Sequence, residues 1–295
     1  MLVLSYCLVD VFTSTRFSGN PLAVFPDARE IDDELMPKIA SELNLSETTF
    51  VLPATGSGCD FRVRIFTPKA ELPTAGHPTI GTAWVLDHGA RVTFLEGVGP
   101  ITVERAMTPA GRPMWQMSQP LPVWGAQMSE AAPLAAALGL RVEDLSDNLP
   151  YAVVSCGVPF LLVPVRDLNA LARVQMRTEQ WAALAELLEA QGVYCFTLAT
   201  GEVGVDVRSR MFAPTLGVAE DPATGSASGP LLCYLARYEA VRFRSRARLL
   251  NVQGVEMGRR SEIHIEIEGS AGAITAVRVG GECTAVGSGV IEVEE

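Results

Sequence analysis

Lysine is nearly absent from this chain of 295 residues. Lys38 and Lys69 stand against 21 arginines, and 34 acidic residues leave a formal net charge of -11. Nucleic acid and anionic membranes need a basic footprint, so neither is expected as a partner. Cysteine is sparse and scattered: the six, at positions 7, 59, 156, 195, 233 and 283, never lie closer than 38 positions. That spacing excludes CxxC pairs and zinc-finger patterns, and no metal site is expected. Most of the six fall in apolar runs and read as small buried residues, the usage of a reducing, cytoplasmic compartment. No apolar run approaches the ~20 residues of a membrane span. Residues 1–12 lack a basic n-region and a small-residue cleavage site, and read as a strand. Also missing are a GxSxG elbow, an HExxH pair and a P-loop. Gly97-Val98-Gly99 is not followed by the helix that a dinucleotide turn requires.

What is present is a chain 48% hydrophobic, long enough for two ordinary cores. Helices are predicted from an Asp32 cap to about Asn44, with Pro37 near enough to the start to be tolerated. Others are predicted over about 78–88, 129–138, 178–191 (capped by Thr178, stopped at Gly192) and 226–239. Short β-rich stretches lie between them at 3–12, 21–25, 49–52, 61–67, 101–105, 114–117, 151–155, 159–165, 193–199, 203–212, 262–268 and 274–280. Strands outnumber helices without a regular βαβ alternation, which is the pattern of an α+β fold. Arg242, Arg244, Arg246 and Arg248 alternate with smaller or apolar residues. The row reads as the wet face of a strand, with a subunit contact or anion patch as the sharper alternative.

Laying the chain against itself reveals a duplication. Arg64-Ile65-Phe66-Thr67-Pro68 recurs as Arg210-Met211-Phe212-Ala213-Pro214, an offset of 146. Farther on, Glu71-Leu72-Pro73-Thr74-Ala75-Gly76 answers Glu220-Asp221-Pro222-Ala223-Thr224-Gly225, with the prolines 149 apart. Upstream, Gly19-Asn20-Pro21 answers Gly157-Val158-Pro159 at 138. The offset grows in order along the chain, as small insertions after a doubling would produce. A Pro- and Gly-rich stretch around 109–122 is the natural linker.

Each repeat reads strand, turn, glycine, then helix. Glycine lets backbone N–H groups approach a ligand, and a helix N-terminus favours negative charge. Two such termini facing each other would hold a small anion. His77 follows the first glycine, whereas Ser226 follows the second; Asp221 stands where the first repeat has Leu72. A structural duplication alone gives no reason for those differences, and histidine is the side chain most readily tuned for proton transfer. Helix capping is the plainer role for His77. His88 and His264 lack such company and read as surface or strand-face residues. Glu47, taken alone, reads as a solvated acid.

Together, Phe17-Ser18-Gly19-Asn20-Pro21-Leu22-Ala23-Val24, Asn44-Leu45-Ser46-Glu47-Thr48, Ala75-Gly76-His77-Pro78-Thr79 and Glu220-Asp221-Pro222-Ala223-Thr224-Gly225-Ser226-Ala227 resemble the PhzF family of phenazine-biosynthesis isomerases. Gln253-Gly254 with Met257-Gly258-Arg259 and Ser261 is similar to that family's C-terminal signature, while Arg260 departs from the proline more usual there. The resemblance implies a diaminopimelate-epimerase-like fold: two pseudo-symmetric lobes, each a curled, mostly antiparallel sheet around a central helix. The lobes would comprise 1–118, with a last strand at about 281–295, and 119–280, with the active site in the cleft between them. It implies a cofactor-independent isomerase that moves a proton on a small anionic substrate, and a homodimer. Glu47 matches the family's acid/base glutamate, with His77 and Asp221 as further catalytic groups. Asn20, Ser46, Gly76, Gly225 and Ser226 are the expected substrate-binding residues. Related epimerases of this fold place a cysteine at each turn; neither turn here has one, which counts against cysteine-based racemisation. The alternatives are an amino-acid epimerase or racemase of the same fold, and a small-molecule-binding protein without turnover.

Overall fold

Two runs of strands, each wrapped on one small-residue helix, account for most of the chain in a computed structural model that describes residues 2–56, 58–270 and 272–293. Clustering of contacts divides it into residues 1–118 with 279–295, and residues 119–278.

The first unit runs β1 (Leu2–Val11), β2 (Asn20–Phe25), α1 (Leu35–Leu43), β3 (Glu47–Pro53), β4 (Phe61–Phe66), β5 (Glu71–Leu72), α2 (Gly76–Leu86), β6 (Arg91–Glu96), β7 (Gly99–Met107) and β8 (Pro113–Gln119). β1 pairs antiparallel with β2, β2 parallel with β3, β3 antiparallel with β4, β4 parallel with β6, and β6 antiparallel with β7. The short β5 lies antiparallel on β4.

The second unit runs β9 (Val123–Met128), α3 (Ala131–Ala137), β10 (Tyr151–Ser155), β11 (Pro159–Pro164), α4 (Leu168–Arg173), α5 (Thr178–Leu188), β12 (Gly192–Thr197), β13 (Val207–Ala213), β14 (Val218–Asp221), α6 (Gly225–Arg237), β15 (Arg246–Gln253), β16 (Ser261–Ser270) and β17 (Ala273–Gly281). Its pairings repeat the series: β10 antiparallel to β11, β11 parallel to β12, β12 antiparallel to β13, β13 parallel to β15 and β15 antiparallel to β16, with β14 on β13. The duplication read from the sequence is therefore a duplication of topology. β18 (Cys283–Val293) returns to the first unit and pairs antiparallel with β1 along its whole length; residues 1, 294 and 295 lie outside the described residues.

The central helix of each unit is buried on all sides, because it is lined by small and apolar residues. From Gly76 to Ala83 every α2 residue is buried, and in α6 so are Gly225 and Ala227–Ala236. α2 contacts β1, β2, β3 and β7; α6 contacts β10, β11, β15 and β16. Gly81 sets the approach of α2, since a Cβ there would stand 2.6 Å from Leu22 and 2.7 Å from Val11. α1 instead packs outside, where Met36, Ile39 and Ala40 cover the Phe25, Phe50 and Phe66 rings. Among the described residues no helix is long and apolar enough to cross a membrane.

Each repeat is fastened by the same clamp. Arg64 places Nε and Nη2 2.7 and 2.8 Å from the two carboxylate oxygens of Glu71, and Arg210 meets Glu220 at 2.7 and 2.8 Å. The guanidinium then sits 5.0 Å over Phe66 in one unit and 4.9 Å over Phe212 in the other. Arg210 additionally donates to the carbonyls of Leu171, Ala172 and Val174.

Several local expectations are corrected. Asp32 does not cap α1; the helix begins after Glu34, and Asp32 supplies a backbone carbonyl to Leu35. Pro37 falls in the first turn, where no amide donor is needed. Thr178 is the first residue of α5 and not its cap, and the helix ends at a left-handed Glu189, with Gly192 opening β12. β5, β6, β9, β14 and α4 were not anticipated. Only Arg246 and Arg248 of the arginine row lie on a strand, where they pair across β15–β16 with Glu266. All six cysteines are free, three of them buried.

The two clamps differ in burial, so they should differ in cost. Arg210→Met leaves Glu220 uncompensated in a largely buried site and should cost about 3–5 kcal/mol. Arg64→Met faces a half-exposed Glu71 and should cost about 1 kcal/mol. Urea unfolding of both variants checks this, and equal losses would show that burial does not decide the cost.

Candidate active site

Three sequence-predicted residues converge in the first unit. Asn20 opens β2, Glu47 opens the neighbouring parallel β3, and His77 is the second residue of α2. Gly19 makes the entry to β2 possible: its φ is +66°, and a Cβ there would collide with the carbonyl of Val11. In the same loop the Phe17 amide donates to the Asp10 carboxylate at 2.6 Å. Phe17 itself has φ 65° and is 70% exposed, an uncommon backbone state for a bulky residue.

Glu47 and Thr49 share one face of β3, because strand side chains alternate. Thr49 meets Thr82 of α2 hydroxyl to hydroxyl at 2.8 Å, which fixes the strand against the helix. Glu47 is thereby held with Oε2 3.2 Å from His77 Nε2, a close contact without the alignment of a directed hydrogen bond. On the far side of the ring, Nδ1 lies 3.1 Å from the Asn20 amide nitrogen. That nitrogen can only donate, so Nδ1 accepts and the neutral ring carries its proton on Nε2, facing the carboxylate. Burial drives the His77 pKa from 6.5 down to about 3. An ionised Glu47 would pull the other way, but a ring only 4% exposed stays neutral. The group can present a carboxylate backed by a fixed N–H donor. Ser46 is half-buried beside Glu47 in the chain, and Gly76 begins α2.

The turn that leads into α2 is fastened by a residue the sequence reading passed over. Glu96, at the end of β6, is 5% exposed, with Thr74 Oγ1 2.6 Å from one carboxyl oxygen and Thr79 Oγ1 2.5 Å from the other. Burial raises its pKa from 4.5 to about 7, against the lowering effect of the two hydroxyls. The strand-end position alone gave no signal; the repeat did, once the topology was known.

In the second unit Asp221, at the end of β14, is 7% exposed and accepts from Thr224 Oγ1 at 2.5 Å. Gln253 stitches the turn: its Nε2 donates to the Asp221 carbonyl at 2.7 Å and to Thr224 Oγ1 at 2.9 Å, while its Oε1 accepts from the Thr224 amide at 3.1 Å. Tyr194, Ser209, Ser228 and Asn251 continue the network behind it. Burial raises the Tyr194 pKa to about 12, so its hydroxyl serves as a donor. Gly225 begins α6 and accepts from Gln119 through its carbonyl at 3.0 Å; Ser226 follows it, half-buried. Among the described residues no group of three His, Cys, Asp or Glu could hold a metal ion.

A family model described as phenazine biosynthesis-like protein matches residues 9–289. A trans-2,3-dihydro-3-hydroxyanthranilate isomerase of Pseudomonas aeruginosa is 39% identical over 96% of this chain and 98% of its own. The structure of a Bacillus anthracis phenazine biosynthesis protein of the PhzF family superposes with a TM-score of 0.92 at 27% identity, covering 99% of this chain and 100% of that one. A hydroxyproline epimerase of Agrobacterium vitis shares the fold at a TM-score of 0.63 and 12% identity, over 98% of this chain and 92% of that one.

The His77 assignment has an acid-side consequence. The folded ring resists protonation down to about pH 3 whereas the unfolded ring takes a proton near 6.5. The unfolded state therefore binds more protons in that window, and stability from this group is present above 6.5 and lost as pH falls. Nitrogen NMR of the His77 ring should show the neutral Nε2–H form from pH 8 to pH 5. A doubly protonated ring at pH 6 would contradict the assignment.

Proposed function

Because the chain belongs to the phenazine biosynthesis-like (PhzF) family and is an isomerase of that kind, we propose that Glu47 is the group that carries the migrating proton. The Glu47 carboxylate takes a proton from an activated carbon, and the bonding pair shifts into the substrate's conjugated system. The resulting carboxylic acid then returns the proton to a different carbon, so product and substrate have the same formula and no cofactor is consumed. A base within reach of the proton it removes contributes ~10²–10⁴-fold. The observation that supports this reading most is the 3.2 Å contact between Glu47 Oε2 and His77 Nε2, with Asn20 setting the tautomer. His77 acts here as a fixed neutral ring whose N–H side faces the carboxylate and favours its charge.

Asn20, Ser46 and Gly76 are assigned to substrate binding in the first unit, the Gly76 amide offering the anion-favouring start of α2. In the second unit Asp221 is assigned as a further proton-handling group, with Gly225 and Ser226 as substrate-binding residues. The substrate class is a small cyclic carboxylate, and the first candidate is trans-2,3-dihydro-3-hydroxyanthranilate, after the name of the P. aeruginosa relative. A cytoplasmic homodimer is the assembly proposed.

Turnover of that candidate in heavy water should incorporate solvent deuterium at the carbon that receives the proton. Glu47→Gln should lower kcat at least ~10²-fold with the fold intact by circular dichroism. Wild-type turnover in Glu47→Gln would remove Glu47 from the mechanism.

A further inference from the structure

The two units offer an internal comparison at the turn that precedes each central helix. Arg64 and Arg210 are equivalent, so Phe61 and Arg62 correspond to Val207 and Arg208. In the first unit Phe61 and Arg62 lie opposite Phe94 and Leu95; in the second, Val207 and Arg208 lie opposite Asn251 and Val252. The next residues are therefore equivalent as well: Glu96 and Gly97 correspond to Gln253 and Gly254. The glycines bear this out, because a Cβ on Gly97 would meet Pro73, and one on Gly254 would meet Pro222. Thr79 and Ser228 also match, each donating to the carbonyl four residues before it, Ala75 at 2.6 Å and Thr224 at 2.9 Å.

Where the second unit has a carboxamide that both donates and accepts, the first has a carboxyl group. A carboxamide cannot ionise. An ionised carboxylate can only accept, so Glu96 can both donate and accept at this position, as Gln253 does at its own, only while it holds a proton. The local geometry supports that proton independently. Thr79 Oγ1 stands 2.6 Å from the Ala75 carbonyl and 2.5 Å from Glu96 Oε1, yet it has one hydrogen to give. With that hydrogen on the carbonyl, the second contact needs a proton on the carboxyl. Thr74 then donates to the other oxygen, and the carboxyl group ties both sides of the turn that carries Gly76 and His77.

We infer that Glu96 is a positioning residue for the Glu47–His77 pair, acting as a neutral carboxylic acid that locks the Thr74–Thr79 turn and frees it on losing its proton. This rests on the proposed role of Glu47 and adds to it an alkaline limit. Among the described residues no cation forms an ion pair with Glu96. Arg62 and Arg64 of β4 and Glu71 of β5 line the same cavity, but Arg64 is held by Glu71 and Asp33. His77 on the turn itself is neutral. Among the described residues the polar contacts of the carboxyl are the two threonine hydroxyls.

Glu96→Gln copies the repeat and fixes the neutral form. Infrared difference spectra between wild type and Glu96→Gln, recorded across pH, isolate the Glu96 carboxylic-acid band without any substrate. The band should persist at pH 6 and disappear as pH rises through about 7. A Glu96 already ionised at pH 5, like an ordinary carboxylate, would overturn the inference. With trans-2,3-dihydro-3-hydroxyanthranilate as substrate, wild-type kcat/KM should fall about tenfold between pH 6 and pH 8 as a single group ionises. Glu96→Gln should keep its pH 6 rate at pH 8, an effect that a merely structural side chain would not produce. The same alkaline fall in Glu96→Gln would overturn the positioning role. Full turnover by Glu47→Gln would instead remove the reading beneath it, and the infrared titration judges Glu96 apart from that result.

Discussion

Each half of this protein depends on a bidentate arginine–carboxylate clamp laid over a phenylalanine ring. A planar guanidinium matches a carboxylate through two parallel bonds, which fixes orientation as well as distance. Here the clamp joins a long strand to the short strand that leads into the turn: Arg64 with Glu71, Arg210 with Glu220. Everything between those anchors and the central helix is set by a few residues of fixed geometry. Pro73 and Pro222 begin the turns, Gly97 and Gly254 let a second strand end press against those prolines, and a side chain from that strand end fastens the turn. The clamp is thus the foundation on which Gly76 and His77, or Gly225 and Ser226, are aimed.

Much of this was legible in the sequence because duplication leaves two copies of the same signal. Arg64-Ile65-Phe66 and Arg210-Met211-Phe212 announced the clamp strand twice, and the glycine-led turns announced the helices. The elements that escaped did so for physical reasons. The arginine row read as a strand face, but β15 begins only at Arg246, where the row finds a cross-strand partner in Glu266. The start of α1 was misplaced because Asp32 has the chemistry of a cap, while the helix begins without a side-chain cap. Glu96 was hidden by insertion: its partner Gln253 lies 157 positions on, against 149 for the prolines of the turns. Strand register, not local pattern, brings the two into correspondence.

The acid/base pair shows the complementary case. Asn20, Glu47 and His77 are far apart in sequence and belong to no single motif by spacing. The repeat singled out His77 and the family resemblance added Asn20 and Glu47, and the parallel pairing of β2 with β3, together with the Thr49–Thr82 contact to α2, explains why they meet. What distinguishes the halves is confined to a few positions set on a shared frame. The strand end pressed against the second turn fastens it with the Gln253 carboxamide, whereas the first turn has the Glu96 carboxyl there, and only the first turn carries a histidine.

The pairing of β1 with β18 has a consequence for synthesis. Apart from the last residues of β17, the strands and helices of the second unit lie within one continuous stretch, residues 119–278, so a growing chain can finish that unit as soon as the stretch has emerged. The first unit precedes it in the chain, yet β1, already paired with β2, lacks its second neighbour until Cys283–Val293 arrives. Its open strand edge must therefore wait through the making of an entire second unit, and domains that fold as they emerge expose such edges to mispairing. The half that carries Glu47 and His77 is the first to be translated and the last to be closed.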